Sequence, residues 1–571
     1  MNLTIDSNRY NTNFRQARLN IVSIADNHGD LLALPQLMKA IQVNKRDIFS
    51  QSSEKSAFSL LAIAGDFFMN PLKKGFITNP DFNNGDVQYN FLTKLIYSVK
   101  RASGHKNKFE TIYTPGNHCY DGGDEWLYKK LKRSPMTTVM SNVDLEASPY
   151  VTQLMEDNPN VVTQRVIEVP DGKKPEIINK VLFLGVTIPS MDYFIPGLMK
   201  GTKFIENSNR NDASLQKKDL KETVRTIKHM VNKFKKENPE GAVVVLSHLG
   251  NRLSMLLADK IPKINLILNG HDHKETEILR GNTLILSHGQ GSKFFRSVKM
   301  FFNDKGIFQE IKCHKYETDR YDPIARKDKA LQDFLHTNIG KDLIPIVTFK
   351  NSSGATEEMI LDDTIRYGHN ILANYVTSAL KRPIREIYPD VAAVGVPGST
   401  FRSGLKSNER RHTFNNLDLM KMFDGVNESY SQVKIGKVTG QELYELVLEN
   451  VKNNLKSKTR NVIIQWSDIQ INRTLIKDIQ DGRSKAKYSD AILIRNQNKR
   501  KFEPINMEKE YTIVLPDKYL QKESKNIKVP AQIKGKFVDI NETLDSLFRK
   551  YLEMIDYKVK ITDKTREQRI L

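Results

Sequence analysis

Five short runs in this sequence combine side chains that can hold metal ions or move protons. They are Asp26-Asn27-His28-Gly29, Gly65-Asp66, Gly116-Asn117-His118-Cys119-Tyr120-Asp121, Ser247-His248-Leu249-Gly250 and Asn269-Gly270-His271-Asp272-His273. Taken singly each is uninformative, because an isolated histidine is more often a packed or surface side chain than a ligand. Together they supply carboxylate oxygens, imidazole nitrogens and an amide oxygen. That mixed hard and borderline set suits manganese, zinc or iron better than calcium. The absence of a cysteine cluster argues against a purely structural zinc site. The groups are too many for one ion and sufficient for two that share a bridging carboxylate.

The runs need elements to bring them together, and each follows an apolar segment that reads as a buried strand. Those segments are Leu19–Ala25, Ser59–Ala64, Glu110–Tyr113, Gly241–Leu246 and Asn265–Leu268, with Lys180–Val186 as a further strand. Between them, apolar residues at helical spacing predict helices over Leu34–Val43, Val87–Val99 and about Asp219–Lys235. Strands alternating with helices imply an α/β layered domain, with the five runs at the carboxyl edge where open α/β sheets place ligands. From about Asn282 to Ile311 the strands are closely spaced, at Leu284–Leu286 and Ser297–Phe302, and predict an antiparallel finish. A charged, helix-prone connector follows, then a second α/β region from about Pro345. Its helices include Asp363–Leu380 and Thr439–Asn454, the latter opening on Thr439 as N-cap.

Composition narrows the class. At about 150 residues per domain, 571 residues hold two to four domains. With 39% hydrophobic and 27% charged residues, disorder throughout and fibrous character are excluded. Two cysteines, Cys119 and Cys313, exclude a disulfide framework. No apolar run is long enough to span a membrane. The opening MNLTIDSNRYNTNFRQARLN lacks the apolar stretch of a signal peptide, so the expected location is cytoplasmic. A net charge of +21 invites a polyanionic partner. The lysines are scattered, however, as at Lys73, Lys129, Lys217 and Lys235, and form no long block, so charges on solvated faces are the favoured explanation.

The ordered series D-x-H, G-D, G-N-H, H and G-H-x-H resembles the calcineurin-like metallophosphoesterases. Asp121 three residues after His118, and Ser-His-Leu-Gly before Gly-His, resemble the 5′-nucleotidase and UDP-sugar hydrolase branch. The resemblance implies an α/β fold: a four-layer-type metallophosphoesterase sandwich over 19–312, after an N-terminal arm at 1–18. A helical connector at 313–344 would join it to a smaller, 5′-nucleotidase-like α/β substrate-binding domain at 345–571. It implies two divalent ions, drawn from manganese, zinc, iron and cobalt. Asp26, His28 and His273 would hold the first, Asn117, His248 and His271 the second, and Asp66 both. The branch often has glutamine at the position of His273, and histidine keeps a ligand there. His118 would stand beside the phosphate as a catalytic group rather than a ligand, oriented by Asp121. Two cations offset phosphate charge and lower the pKa of a bound water, which supplies a nucleophile near neutral pH. Cys119, inside the motif, reads as a spacer.

In that branch the C-terminal domain binds the nucleoside. Val394-Gly395-Val396-Pro397-Gly398-Ser399-Thr400-Phe401-Arg402 is similar to its N-G-G-G-I-R loop, with Arg402 retained and Pro397, Ser399 and Thr400 substituted. Phe423 is similar to the aromatic of its P-F-x-N segment, and Arg366 falls near the start of the helix matching its L-G-N-L segment. The closing G-G-D-G-Y segment is missing near Tyr511–Asp517. The implied activity is hydrolysis of small nucleotide or other phosphate esters, with nucleic acid less favoured as a partner and no membrane partner. Family members are often periplasmic or secreted. A phosphodiesterase, nuclease or cyclic-nucleotide phosphodiesterase is the alternative. A non-catalytic binding protein on the same fold is disfavoured, because every metal position keeps a competent ligand.

Overall fold

The computed structural model describes residues 17–560 except 32, 50–56, 69–85, 105–108, 171–177, 190–198, 207–219, 304, 341–347, 351–369, 402–431, 457–462, 500, 521–528 and 557. The described residues divide into two compact units, one running to Asn338 and the other from Ile339.

The first unit is built on two sheets. Strands β1 (Ala17–Ile24), β2 (Ala57–Ala64), β3 (Phe109–Thr114), β4 (Thr137–Val139) and β5 (Val161–Val162) run parallel in one of them. The second contains β6 (Arg165–Pro170), β7 (Ile178–Thr187), β8 (Ala242–His248), β9 (Leu266–Asn269), β10 (Thr276–Arg280) and β11 (Thr283–Ser287). Strands β12 (Phe294–Phe302) and β13 (Phe308–Glu317) complete the first sheet, β12 lying antiparallel to β1. The sheet orders are β13-β12-β1-β2-β3-β4-β5 and β10-β11-β9-β8-β7-β6.

Alternation explains why two sheets form. Leu60, Ala62 and Ala64 of β2 share one apolar cluster with Val181 and Phe183 of β7, Val244 and Leu246 of β8, and Leu266 and Leu268 of β9. The intervening Leu182, Val243, Val245 and Ile267 face the other way, onto the helices Lys221–Glu237 and Asn251–Lys260. Both faces of the second sheet are therefore buried, which is why its strands read as continuous apolar runs. Each such aliphatic side chain contributes about 1.5–3 kcal/mol on burial. Helix Ala33–Val43 buries Leu34, Leu37, Met38 and Ile41, and helix Asp86–Ser103 buries Phe91, Leu92 and Leu95. Helices outside two facing sheets make the four-layer α/β/β/α sandwich expected from the sequence.

Some expectations shift. The strand at Leu284–Leu286 is antiparallel to β10 but parallel to β9, so the antiparallel finish holds for β10–β11 and β12–β13 only. Strands β4, β5 and β6 are additions to the sequence reading, the first two being only 3 and 2 residues long. The segment expected as a connector begins inside β13, and its next residues belong to the first unit. Lys39 pairs with Asp328 at 2.9 Å, Gln36 donates to Asp322 at 2.9 Å, and Phe91 meets Phe334 edge-on.

In the second unit a five-stranded sheet includes Val391–Pro397, Gln432–Thr439, Ile464–Trp466, Glu510–Pro516 and Phe537–Thr543. One face packs on helices Ile371–Ile387 and Leu544–Met554, the other on Gly440–Lys456. The helix expected over Asp363–Leu380 is seen from Ile371, its earlier residues lying outside the described set.

Candidate functional site

Two sheets, not one, deliver the five runs. β1, β2 and β3 end at Ile24, Ala64 and Thr114, just before Asp26, Asp66 and Asn117, while β8 ends on His248 and β9 one residue before Gly270-His271. The runs meet where the carboxyl edges of the facing sheets adjoin. Backbone hydrogen bonds lock the loops together: His28 N donates to Asp66 O at 2.8 Å, Gly291 N to Asp26 O at 2.8 Å, and Gly270 N to Ser247 O at 2.9 Å.

The backbone here is strained. Asp26, His28, Asp66, His271 and His273 have φ of 52°, 51°, 44°, 87° and 54°. Left-handed conformations in residues other than glycine persist only where surrounding structure enforces them, and they concentrate at functional sites. Small residues allow the close approach. A Cβ on Gly65 would lie 2.0 Å from His248 Nδ1, and one on Gly116 would lie 2.2 Å from Asp66 Oδ1.

Asp66 sits at the centre. Its Oδ2 lies 2.9 Å from His248 Nε2 and 3.7 Å from His28 Nε2, while its Oδ1 accepts from His118 N at 2.9 Å. On one side Asp26, His28 and His273 converge, with His28 Nε2 and His273 Nε2 2.8 Å apart and Asp26 Oδ1 within 3.8 Å of both. On the other, Asn117 Oδ1 lies 3.0 Å from His271 Nδ1, and the His248 and His271 rings are 5.2 Å apart. Asp26 accepts from His271 N at 2.9 and 3.2 Å, which ties the two sides together.

Three overlapping trios can each present one ligand atom to a common ion: Asp26, His28 and His273; His28, Asp66 and His118; Asp26, Asp66 and His248. His118 thus lies within reach of the same space as the other groups. What separates it is Asp121, whose Oδ2 lies 3.0 Å from His118 Nδ1. The His118 and His273 side chains are 18% and 23% exposed, against 0% for His248, so these two line the open side.

Charge explains the geometry. His248 Nδ1 donates to Ala64 O at 3.0 Å, which leaves Nε2 as the electron-pair nitrogen facing the Asp66 carboxylate. Asp66 Oδ2 and His248 Nε2 are both buried, and among the described residues no well-aligned hydrogen bond satisfies either. Two electron-rich atoms at 2.9 Å repel unless a proton or a cation joins them. Burial disfavours an imidazolium there, but Asp66 outweighs it and raises His248 to about 9. Burial likewise opposes ionisation of Asp66, yet His248, His118 and His28 together hold it well below the usual carboxylate value. Burial raises Asp26 to about 6, and burial with the neighbouring His248 charge holds His271 well below 6.5. These buried, mixed O and N donors fit divalent cations. Cys119 is fully buried, accepts from Tyr113 at 3.0 Å and is pushed by burial to about 12, so it remains a neutral thiol.

Arg366, Arg402 and Phe423 lie outside the described residues. Supporting residues that the sequence reading missed include Ser292, whose Oγ accepts from Asn27 Nδ2 at 2.9 Å, and Thr318, which donates to Ser292 O at 2.7 Å. The run His288-Gly289-Gln290-Gly291-Ser292 after β11 was the available signal.

Residues 19–275 match the calcineurin-like phosphoesterase family model. Across 97% of this chain and 99% of the other, the fold is similar to a 5′-nucleotidase precursor from Thermus thermophilus, with TM-score 0.62 and 16% identity. A sulfate thiohydrolase, SoxB, from the same genus covers 97% and 96%, with TM-score 0.59 and 13% identity. A putative 5′-nucleotidase from Staphylococcus aureus covers 95% and 100%, with TM-score 0.53 and 14% identity. No curated protein matches. Residues 19–275 are thus similar to a calcineurin-like phosphoesterase domain, and the fold is similar to that of 5′-nucleotidases. Among the described residues, no helix is long and apolar enough to cross a membrane.

Proposed function

We propose that this calcineurin-like phosphoesterase domain is a dinuclear-metal phosphohydrolase that removes phosphate from nucleotide esters. The observation that carries the reading is the central Asp66 carboxylate, with its buried Oδ2 set between His28 and His248. Asp26, His28 and His273 would hold one ion, Asn117, His248 and His271 the other, and Asp66 both. Two such ions, when bound, supply the charge compensation and the activated water that hydrolysis of a phosphate ester requires.

The remaining work falls to the chain's own groups. His118, on the open side, would donate to the phosphate oxygens as charge develops, with Asp121 orienting the ring through Nδ1. The fully buried Asp26, Asp66 and His248 sit in a low-dielectric floor where charge stabilisation is strong. Nucleotide selectivity rests on the resemblance of the Arg402 loop and the Phe423 segment to the 5′-nucleotidase branch, and on fold relatives described as 5′-nucleotidases.

The test is a substrate panel with added manganese: AMP, UDP-glucose, a cyclic nucleotide, bis-p-nitrophenyl phosphate and single-stranded DNA. AMP should be hydrolysed fastest. His118→Ala should keep its metal content while turnover falls by roughly two to four orders of magnitude. Loss of metal from that variant would make His118 a ligand, and a preference for diesters would replace the nucleotidase reading.

A further inference from the structure

On the outer face of the second sheet, apolar residues give way to a row of polar ones at the carboxyl edge. Val243 and Val245 of β8, Ile267 of β9 and Ile285 of β11 belong to the apolar cluster against the helix Asn251–Lys260. The next residues on that face are Ser247, Asn269 and Ser287, which pair across the three strands in register. They are 0%, 0% and 1% exposed, and each immediately precedes an inward-facing position: His248, Gly270 and His288. Buried polar groups cost free energy unless hydrogen-bonded, so such a row beside the helix's largely apolar buried face is not packing filler.

The row is organised by Asn251, the first residue of that helix. Its Oδ1 accepts from Asn269 Nδ2 at 3.2 Å, from Thr276 Oγ1 at 3.0 Å and from Ser287 Oγ. Its backbone N donates to Asp272 Oδ2 at 2.6 Å. One residue thus grips the Gly-His-Asp-His loop before it, within it and after it. Ser254, one turn on, donates to Asn269 Oδ1 at 2.8 Å and lies 2.8 Å from Ser247 Oγ. Asn251 also follows directly on His248-Leu249-Gly250.

We infer that Asn251 is a positioning residue of the metal centre, its carboxamide oxygen setting the spacing between His248 and the loop that carries His271 and His273. This rests on the dinuclear reading proposed above. Partners that orient ligands in this way typically change metal affinity roughly 10–100-fold when removed. Among the described residues the Asn251 side chain serves the network as an acceptor, so aspartate can replace it and alanine cannot.

Manganese binding to the metal-free protein, measured by calorimetry with thermal melts alongside, tests this. Asn251→Ala should bind manganese about tenfold more weakly, with partial recovery of turnover when manganese is raised, and Asn251→Asp should stay within about threefold of wild type. Thr276→Val, which removes one donor to the same oxygen, should give a smaller loss in the same direction and stands in if Asn251→Ala does not fold. Unchanged affinity in Asn251→Ala overturns the inference, as does an equal loss in Asn251→Asp or a lowered melting temperature without any change in affinity. A wild-type chain that takes up no manganese would sink the dinuclear reading itself, whereas two ions bound equally well by wild type and Asn251→Ala would sink only the positioning role.

Discussion

Single side chains at this site are held in states they would not adopt alone, and glycines make room for the strain. Gly65 has φ of 87° and leaves space for the His248 ring. In Gly65→Ala the methyl would both oppose that backbone conformation and collide with Nδ1. The variant should bind manganese at least about tenfold more weakly with an unchanged far-UV dichroism spectrum, since a displaced His248 ring rather than a lost core is at stake. Wild-type affinity would show that His248 moves freely. His288 offers a separate pH signature. Burial first, then the Arg296 guanidinium, lowers its pKa from 6.5 to about 4. A depressed folded value means that the unfolded chain takes up the proton first, so stability is full above about 6.5 and is lost as pH falls towards about 4. His288→Gln should therefore lose on the order of 2 kcal/mol less stability than wild type between pH 7 and 5, read from urea midpoints of metal-free protein. Parallel losses in the two proteins would refute a buried neutral imidazole.

Elements show how local chemistry is enforced by packing. The helix Gly440–Lys456 begins with the threonine N-cap its sequence foretold, Glu442 N donating to Thr439 Oγ1 at 3.2 Å, and the structure adds the return bond from Thr439 N to Glu442 Oε2 at 2.8 Å. These reciprocal bonds satisfy two otherwise orphaned amides. Thr439→Ala should destabilise the protein by about 1 kcal/mol in urea unfolding, and Thr439→Ser by much less. Equal stability of all three proteins would mean that the cap is redundant. The helix Asn251–Lys260 shows what such local reasoning misses. Its first residue accepts from three side chains on other strands, and sequence spacing carries no information on what lies across a sheet.

For the chain as a whole, a net charge of +21 poses the question of a polyanion partner. A small nucleotide meets few cations, so raising salt from about 50 to 200 mM should change kcat/KM for AMP by no more than about threefold. A protein that neutralises many phosphates would lose about a thousandfold in affinity over the same range. A steep salt slope would favour the nuclease alternative.

Much was readable without coordinates because buried parallel strands are apolar on both faces and stand out as continuous runs. The strand ends, and hence the five runs at their carboxyl edges, could be located to within a few residues: Ser59–Ala64 against Ala57–Ala64, and Asn265–Leu268 against Leu266–Asn269. The short β4 and β5 could not, because two or three residues show no periodicity. Nor could the division of the runs between two facing sheets, since alternation tells which residues share a face but not which faces meet. The placement of Asp66 between His28 and His248, and the grip of Asn251 on the loop from Asn269 to Thr276, arise from contacts between residues far apart in the chain. Local sequence names the donors and acceptors available for such contacts, whereas the packing of one sheet on the other sets the distances at which they meet.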